Sequence, residues 1–223
     1  PGLEQLQTEG PITASYNGDN QQLQLDGTIS KIAYTDYTLN NLDLQVRGDR
    51  NQLGYNLALG SLVSPSLNVR DVTLEGAARD DELLVRLAIA EDSVNNSFLL
   101  GGALSSLGRG YRFVFNPEQL VINGDTWTVP EDNYLQFDTD LLYANNIRLQ
   151  RNDMAIALNS TGPVAPNAPL NVGFENLDIG YLVQSFQKQD SLVNGIINGE
   201  ATVQNLMAGE LSFTSDLTVS DLF

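Results

Sequence analysis

The chain has 223 residues, 42% hydrophobic and only 17% charged, enough apolar material for one large domain or two small ones. Its net charge of −17, from 28 acidic and 11 basic residues with no basic run, argues against nucleic acid and against an anionic membrane surface. With no Cys there is no disulfide, thiol nucleophile or thiolate metal site, and with no His the commonest base and transition-metal ligand are missing.

From Leu23 onward, apolar residues recur at every second position. Leu42, Leu44 and Val46 come first, then Leu57 and Leu59, Leu67 and Val69, and Leu83, Val85, Leu87 and Ile89. Tyr111, Phe113 and Phe115 follow, then Ile147 and Leu149, Leu170, Val172 and Phe174, Leu211 and Phe213, and Leu217 and Val219. Successive side chains on a strand point to opposite faces, so this pattern predicts sheet with one apolar and one polar face. Runs of about six to nine residues give roughly 13 or 14 strands.

Turn signals punctuate the runs. Asn17-Gly18 and Asn123-Gly124 predict hairpin turns, and Asp26-Gly27 is a further turn dipeptide. Asn194-Gly195 and Asn198-Gly199 sit inside a run and predict kinks or bulges. Asp80-Asp81 and Glu131-Asp132-Asn133 are expected as turns. The connections are short and no helical crossover separates the strands, so a meander of antiparallel neighbours is expected. One segment departs from period 2. Ile179, Leu182, Val183 and Phe186 are spaced as on one helix face, predicting a short helix near 177–189 with Asp178 as N-cap. The Pro-rich stretch 160–169 is the expected place for an internal boundary. A start at Pro1 and a strand-like pattern running to Phe223 fit a single β-rich fragment, residues 1–223, of a longer protein.

Chemistry-bearing constellations are sparse. Asp80, Asp81 and Glu82 form the tightest acidic cluster, but Asp is a good turn residue between two strands. Asp36, Asp140 and Asp153 lack the spacing of a calcium loop. Ser185 and Lys188 spell Ser-x-x-Lys without the companion motifs of a serine acyl-enzyme. Asn95 and Asn159 head Asn-x-Ser/Thr triplets, which recur by chance. The expectation is no enzyme, no catalytic residue, no cofactor and no metal.

Trp127 lies in the most distinctive stretch, Phe-Asn-Pro-Glu-Gln-Leu-Val-Ile-Asn-Gly-Asp-Thr-Trp-Thr-Val followed by Asp-Asn-Tyr-Leu-Gln-Phe (115–137). This stretch resembles segments of TamB-like envelope proteins of the Bacteroidetes type. Residues 177–206 are similar to the Gly-x-x-x-Gly and Asn-Leu pattern of AsmA and TamB proteins, through Leu177-Asp178-Ile179-Gly180, Leu192-Val193-Asn194-Gly195, Asn198-Gly199-Glu200-Ala201 and Asn205-Leu206. The resemblance covers residues 111–223 well and the remainder in style. It implies a long periplasmic protein anchored in the inner membrane, whose β segments form a U-shaped trough with an apolar floor. It further implies a role in outer-membrane biogenesis, through phospholipid transport or assembly of outer-membrane proteins. The implied partners are phospholipid acyl chains, client β-strands and an outer-membrane assembly protein.

The expected fold is thus all-β, a curled antiparallel meander (a β-taco or U-shaped trough) with an apolar inner face and one short helix. Residues expected to line the groove or core are Leu42, Leu44, Val46, Val85, Leu87, Phe113, Phe115, Trp127, Ile147, Leu149, Val172, Phe174, Leu211 and Phe213. Arg86, Arg112 and Arg148, each between two of these, are expected on the other face. Two alternatives remain open, a surface accepting client strands along its edges and an inert β domain with a closed core.

Overall fold

A computed structural model describes residues 2–65, 67–90, 96–181, 194–206 and 211–222. It is nearly all-β, with every described pairing antiparallel, in two open sheets of twelve and five strands. The first sheet holds β1 (Leu3–Thr8), β2 (Thr13–Asn17), β3 (Gln22–Tyr34), β4 (Tyr37–Gly48), β5 (Gln52–Ser64), β6 (Leu67–Arg79) and β7 (Glu82–Ala90). It continues through β8 (Asn96–Ser106), β9 (Tyr111–Ile122), β10 (Asp125–Thr126), β11 (Tyr134–Asp138) and β12 (Leu141–Asn145). The second holds β13 (Ile147–Arg151), β14 (Met154–Ser160), β15 (Leu170–Asp178), β16 (Ile196–Gln204) and β17 (Ser212–Ser220). From β3 onward the order is sequential apart from the two-residue β10, as a meander requires.

Several strands are longer than the alternating runs. β3, β5 and β6 have 13 residues each. The runs are shorter because alternation slips in mid-strand while pairing continues through the slip. Asp26-Gly27 lies inside β3 rather than in a turn, since Gly27 pairs with Leu44 and lies beneath the Ile12 side chain. Asn123 and Gly124 both have positive φ, 54° and 78°, as a two-residue hairpin of matched twist needs. The Asn17-Gly18 signal also closes a hairpin, joining β2 to β3. Asp80-Asp81 turns β6 into β7, with Arg79 opposite Glu82. Around Asn198 the β15–β16 register shifts and Asn176 stands at φ 45°, the bulge that the later Asn-Gly pair predicts. The helix begins at Ile179, capped by the Asp178 carboxylate accepting from the Tyr181 N–H at 3.2 Å. Its expected continuation, with Ser185 and Lys188, lies outside the described residues, as does Asn95.

Packing divides the chain at Gly101/Gly102. Residues 161–169 form a loop between β14 and β15 within the second unit. In the first unit all described strands belong to one sheet, and among the described residues only Ala88, Leu99 and Gly101 are buried. In the second unit the two sheets share a core. Ala144, Ile147 and Leu170 are buried there, packed by Phe115, Leu135, Leu142, Leu149, Leu158 and Val203. The chain passes between sheets at Asn146, the one residue separating β12 from β13, with φ 46°. Strands that switch sheets through a kink make the corners of such packings.

A buried amide holds the start of this core. Asn133 is 1% exposed. Its Oδ1 accepts from the Phe115 N–H at 2.8 Å, and its Nδ2 donates to the carbonyls of Phe115 (3.0 Å) and Pro130 (2.6 Å). The side chain thus acts as one more strand residue for Phe115. Asn133→Ala leaves these backbone groups unpaired in an apolar setting and is expected to cost about 2–3 kcal/mol. Urea unfolding of the variant measures that loss directly.

Candidate functional site

The first unit carries a continuous apolar face. Opposed residues share a face, so the pairings from β3 to β7 assemble transverse rows. One row is Ile29, Leu42, Leu59, Val72 and Ile89. The next is Gly27, Leu44, Leu57, Leu74 and Leu87, and a third is Leu25, Val46, Tyr55, Gly76 and Val85. The opposite face is polar. Arg47 pairs with Asp26 at 2.5 Å, Arg86 with Glu75 at 2.8 Å, and Thr28 Oγ1 donates to Asp43 at 2.7 Å.

Five strands about 4.8 Å apart and three rows about 6.6 Å apart give an apolar area of roughly 500 Å². That is at the upper end of what a monomer exposes, where such patches mark binding surfaces. Every apolar side chain in these rows is half-buried by its neighbours, and among the described residues no second layer within the first unit covers them.

Two glycines shape this face. Tyr55 reaches across Gly76 and donates from its hydroxyl to the Leu84 carbonyl at 2.9 Å. A Cβ at Gly76 would come within 2.7 Å of that hydroxyl and collide with the Leu84 carbonyl. Burial raises the Tyr55 pKa, so the phenol stays a donor. At Gly27, Ile12 occupies the space a side chain would need.

The expected lining residues separate into three settings. Leu42, Leu44, Val46, Val85 and Leu87 fall in the three rows above. Their partners Leu57, Leu59, Val72 and Leu74 complete the rows and were identifiable in principle, because the two-residue Asp80-Asp81 turn pins Leu74 opposite Leu87. In the second unit, Phe115, Ile147 and Leu149 enter the shared core, with Phe113 edge-on to Phe115 at 4.9 Å. Val172 and Phe174 lie on the same face of the second sheet, opposite Leu158 and Ile156. That face runs outward to Phe213, 69% exposed on β17, and Leu211 is exposed just before it. Trp127 is fully enclosed. Its indole donates to the Tyr181 hydroxyl at 3.3 Å, which donates to the Ile122 carbonyl at 2.6 Å. Burial is the main cause raising the Tyr181 pKa. This relay ties the helix start to the β9–β10 hairpin.

The three arginines lie on the faces opposite the apolar rows. Arg86 meets Glu75, Arg112 bonds Gln136 and stacks over the Tyr134 ring at 4.4 Å, and Arg148 grips Glu175 through two contacts of 2.6 Å. The Arg148 guanidinium holds the Glu175 carboxyl below the usual carboxylate range. Asp26 is lowered by the Gln24 amide and then by Arg47.

Among the described residues, no group of three or more His, Cys, Asp or Glu is gathered as a metal site requires, and no helix is long and apolar enough to cross a membrane. Asn159 accepts from the Asn146 N–H at 2.6 Å. Comparison of the chain with protein-family models, curated proteins and solved structures finds no match.

The lowered Glu175 pKa carries a sign for stability. A carboxylate whose pKa falls on folding stabilises the fold above its unfolded value and loses that contribution as pH drops through the folded one. The Arg148–Glu175 contribution should therefore be complete above the ordinary value of 4.5 and fade below it. Melting temperatures recorded from pH 6 downward should fall less steeply below about pH 4.5 in Arg148→Met than in the parent.

Proposed function

We propose that this chain is a groove segment of a TamB/AsmA-like periplasmic protein, anchored to the inner membrane in its full-length form. It binds acyl chains rather than catalysing a reaction. Its part in outer-membrane biogenesis is to give phospholipid tails, or the apolar side of client β-strands, an apolar surface to move along. The resemblance around Trp127 supports the family, and one observation carries the chemistry. Three apolar rows cross five strands of the first unit with no covering layer of their own among the described residues.

The dimensions are compatible. A row across five strands spans about 19 Å, and a lipid tail reaches roughly 15 Å, half of the hydrocarbon core. The rows run perpendicular to the strands, so a tail lying along one meets only apolar groups from Leu44 to Leu87. The net charge of −17 keeps such a surface from collapsing onto copies of itself or onto anionic lipid headgroups at large.

A second reading, a structural β domain with a closed core, is favoured by the second unit, where Trp127, Leu170 and Leu177 are all buried. One pair of variants separates the two. Leu57→Arg puts a charge on the central row of the first unit, where it can hydrate. Leu170→Arg puts the same charge into the shared core, where an unpaired charge costs several kcal/mol. The expected outcome is a folded Leu57→Arg that no longer crosslinks a photoreactive phospholipid, and an unfolded Leu170→Arg. A parent protein that takes up no lipid, or a folded Leu57→Arg that crosslinks as the parent does, overturns the lipid reading. A Leu57→Arg that fails to fold assigns the first unit to the closed structural domain.

A further inference from the structure

Two residues inside the long strands of the first unit have left-handed backbones, Asn41 at φ 54° in β4 and Asp71 at φ 52° in β6. They fall on one transverse line. Asn40–Ser61 and Leu42–Leu59 bracket Asn41 and Gly60. Ser61–Arg70 and Leu59–Val72 bracket Gly60 and Asp71, while Ile29–Leu42 and Lys31–Asn40 bracket Ser30 and Asn41. Among β3, β4, β5 and β6 the register is the same on both sides of the line, so none of these pairings gains a residue there; only against β1 does it shift, from Gln7–Lys31 to Thr8–Ile29 across Ser30.

The apolar pattern changes phase at that line in all four strands. Spacing is two on either side but three across it, from Ile29 to Ile32, Leu39 to Leu42, Leu59 to Leu62 and Val69 to Val72. Beyond the line the apolar partners are Ile32, Leu39, Leu62 and Val69. The intervening row, Lys31, Asn40, Ser61 and Arg70, is polar, and Asn40 Nδ2 donates to Ser61 Oγ at 3.0 Å. In a straight strand this polar row would share the face of Leu42 and Leu59, and the apolar face would end there.

The second unit shows what a left-handed Asn does at such a spacing. Ala144 and Ile147 are also three apart, with Asn146 at φ 46° between them. Both belong to one buried cluster, 1% and 6% exposed. There the chain turns from one sheet into the other, and both flanking apolar side chains reach the same core. Asn and Asp are the non-glycine residues that adopt this conformation most readily.

We infer that the Ser30–Asn41–Gly60–Asp71 line is a built crease. It shifts the side-chain alternation by one residue in four adjacent strands at once. The apolar face of the first unit then passes across it from Leu42, Leu59 and Val72 onto Leu39, Leu62 and Val69. The crease lengthens that face to most of the span of the 13-residue strands and turns the polar row of Lys31, Asn40, Ser61 and Arg70 to the other side. Whether acyl chains occupy the longer face rests on the proposed function. The crease does not.

The chain has no Cys, so introduced pairs can be spin-labelled uniquely. Nitroxides at Leu59→Cys/Leu62→Cys are compared by dipolar broadening with two controls on the straight part of β5. Leu57→Cys/Leu59→Cys is a same-face pair, and Asn56→Cys/Leu59→Cys is an opposite-face pair with the same spacing of three. A crease predicts strong broadening at 59/62, as in the same-face control. Weak broadening, as in the 56/59 control, overturns it. The pair Leu39→Cys/Leu42→Cys on β4, against Asp43→Cys/Val46→Cys, repeats the test should labels on β5 disturb folding, as judged by circular dichroism. Lipid is absent throughout, so failure of lipid binding and failure of the crease are separate outcomes.

Discussion

The constraint on which this structure depends is the antiparallel ladder. Each inner strand satisfies its backbone donors and acceptors on its two neighbours, and this pairing fixes the direction of its side chains. Once Arg79 stands opposite Glu82, Leu74 must stand opposite Leu87 and Glu75 opposite Arg86. Apolar side chains are thereby sorted to one side and ion pairs to the other. A sheet sorted in this way has one unfinished surface. It can be met by a second sheet, by a ligand, or by water at a cost.

The two units meet that demand differently. In the second, the chain turns at Asn146 from one sheet into the other and brings Ile147 and Leu170 against Ala144. Two polar side chains make this possible without stranding backbone groups. Asn133 satisfies Phe115 where no strand reaches it, and Tyr181 satisfies both Trp127 and Ile122. In the first unit the described residues form no second sheet, and side chains of equal hydrophobicity stay half-buried. Leu57 and Leu170 differ in burial because of what lies above them, not because of what they are. That contrast makes the first unit the candidate binding surface and the second its structural counterpart.

Left-handed Asn and Asp residues recur where the backbone of both units changes course. Asn146 makes a corner between sheets, Asn176 accommodates a bulge opposite Asn198, and Asn41 and Asp71 sit where alternation slips in the long strands. Each is a local backbone choice with a consequence at the scale of a whole face, because side-chain direction beyond it depends on the phase it sets.

Much of the fold was legible in the residues. Period-2 alternation and short connections between runs specify an antiparallel all-β meander, because both are consequences of strand geometry that act over a few residues. The hairpins at Asn123-Gly124 and Asp80-Asp81, the bulge near Asn198 and the cap at Asp178 were legible for the same reason. Asp26-Gly27 reads as a turn in isolation but lies within β3, held there by pairing with Gln45 and Leu44 of β4, by Thr13 opposite Asp26 and by Ile12 above Gly27. Strand lengths were hidden where the alternation slipped. What only the tertiary structure decided is which apolar residues are enclosed. Trp127 is sealed because Tyr181, 54 residues away, closes over it. Leu44 and Leu87 stay half-buried because no second sheet forms among the described residues of their unit. Alternation records which side of a strand is apolar, whereas burial depends on residues far along the chain that the local pattern does not encode.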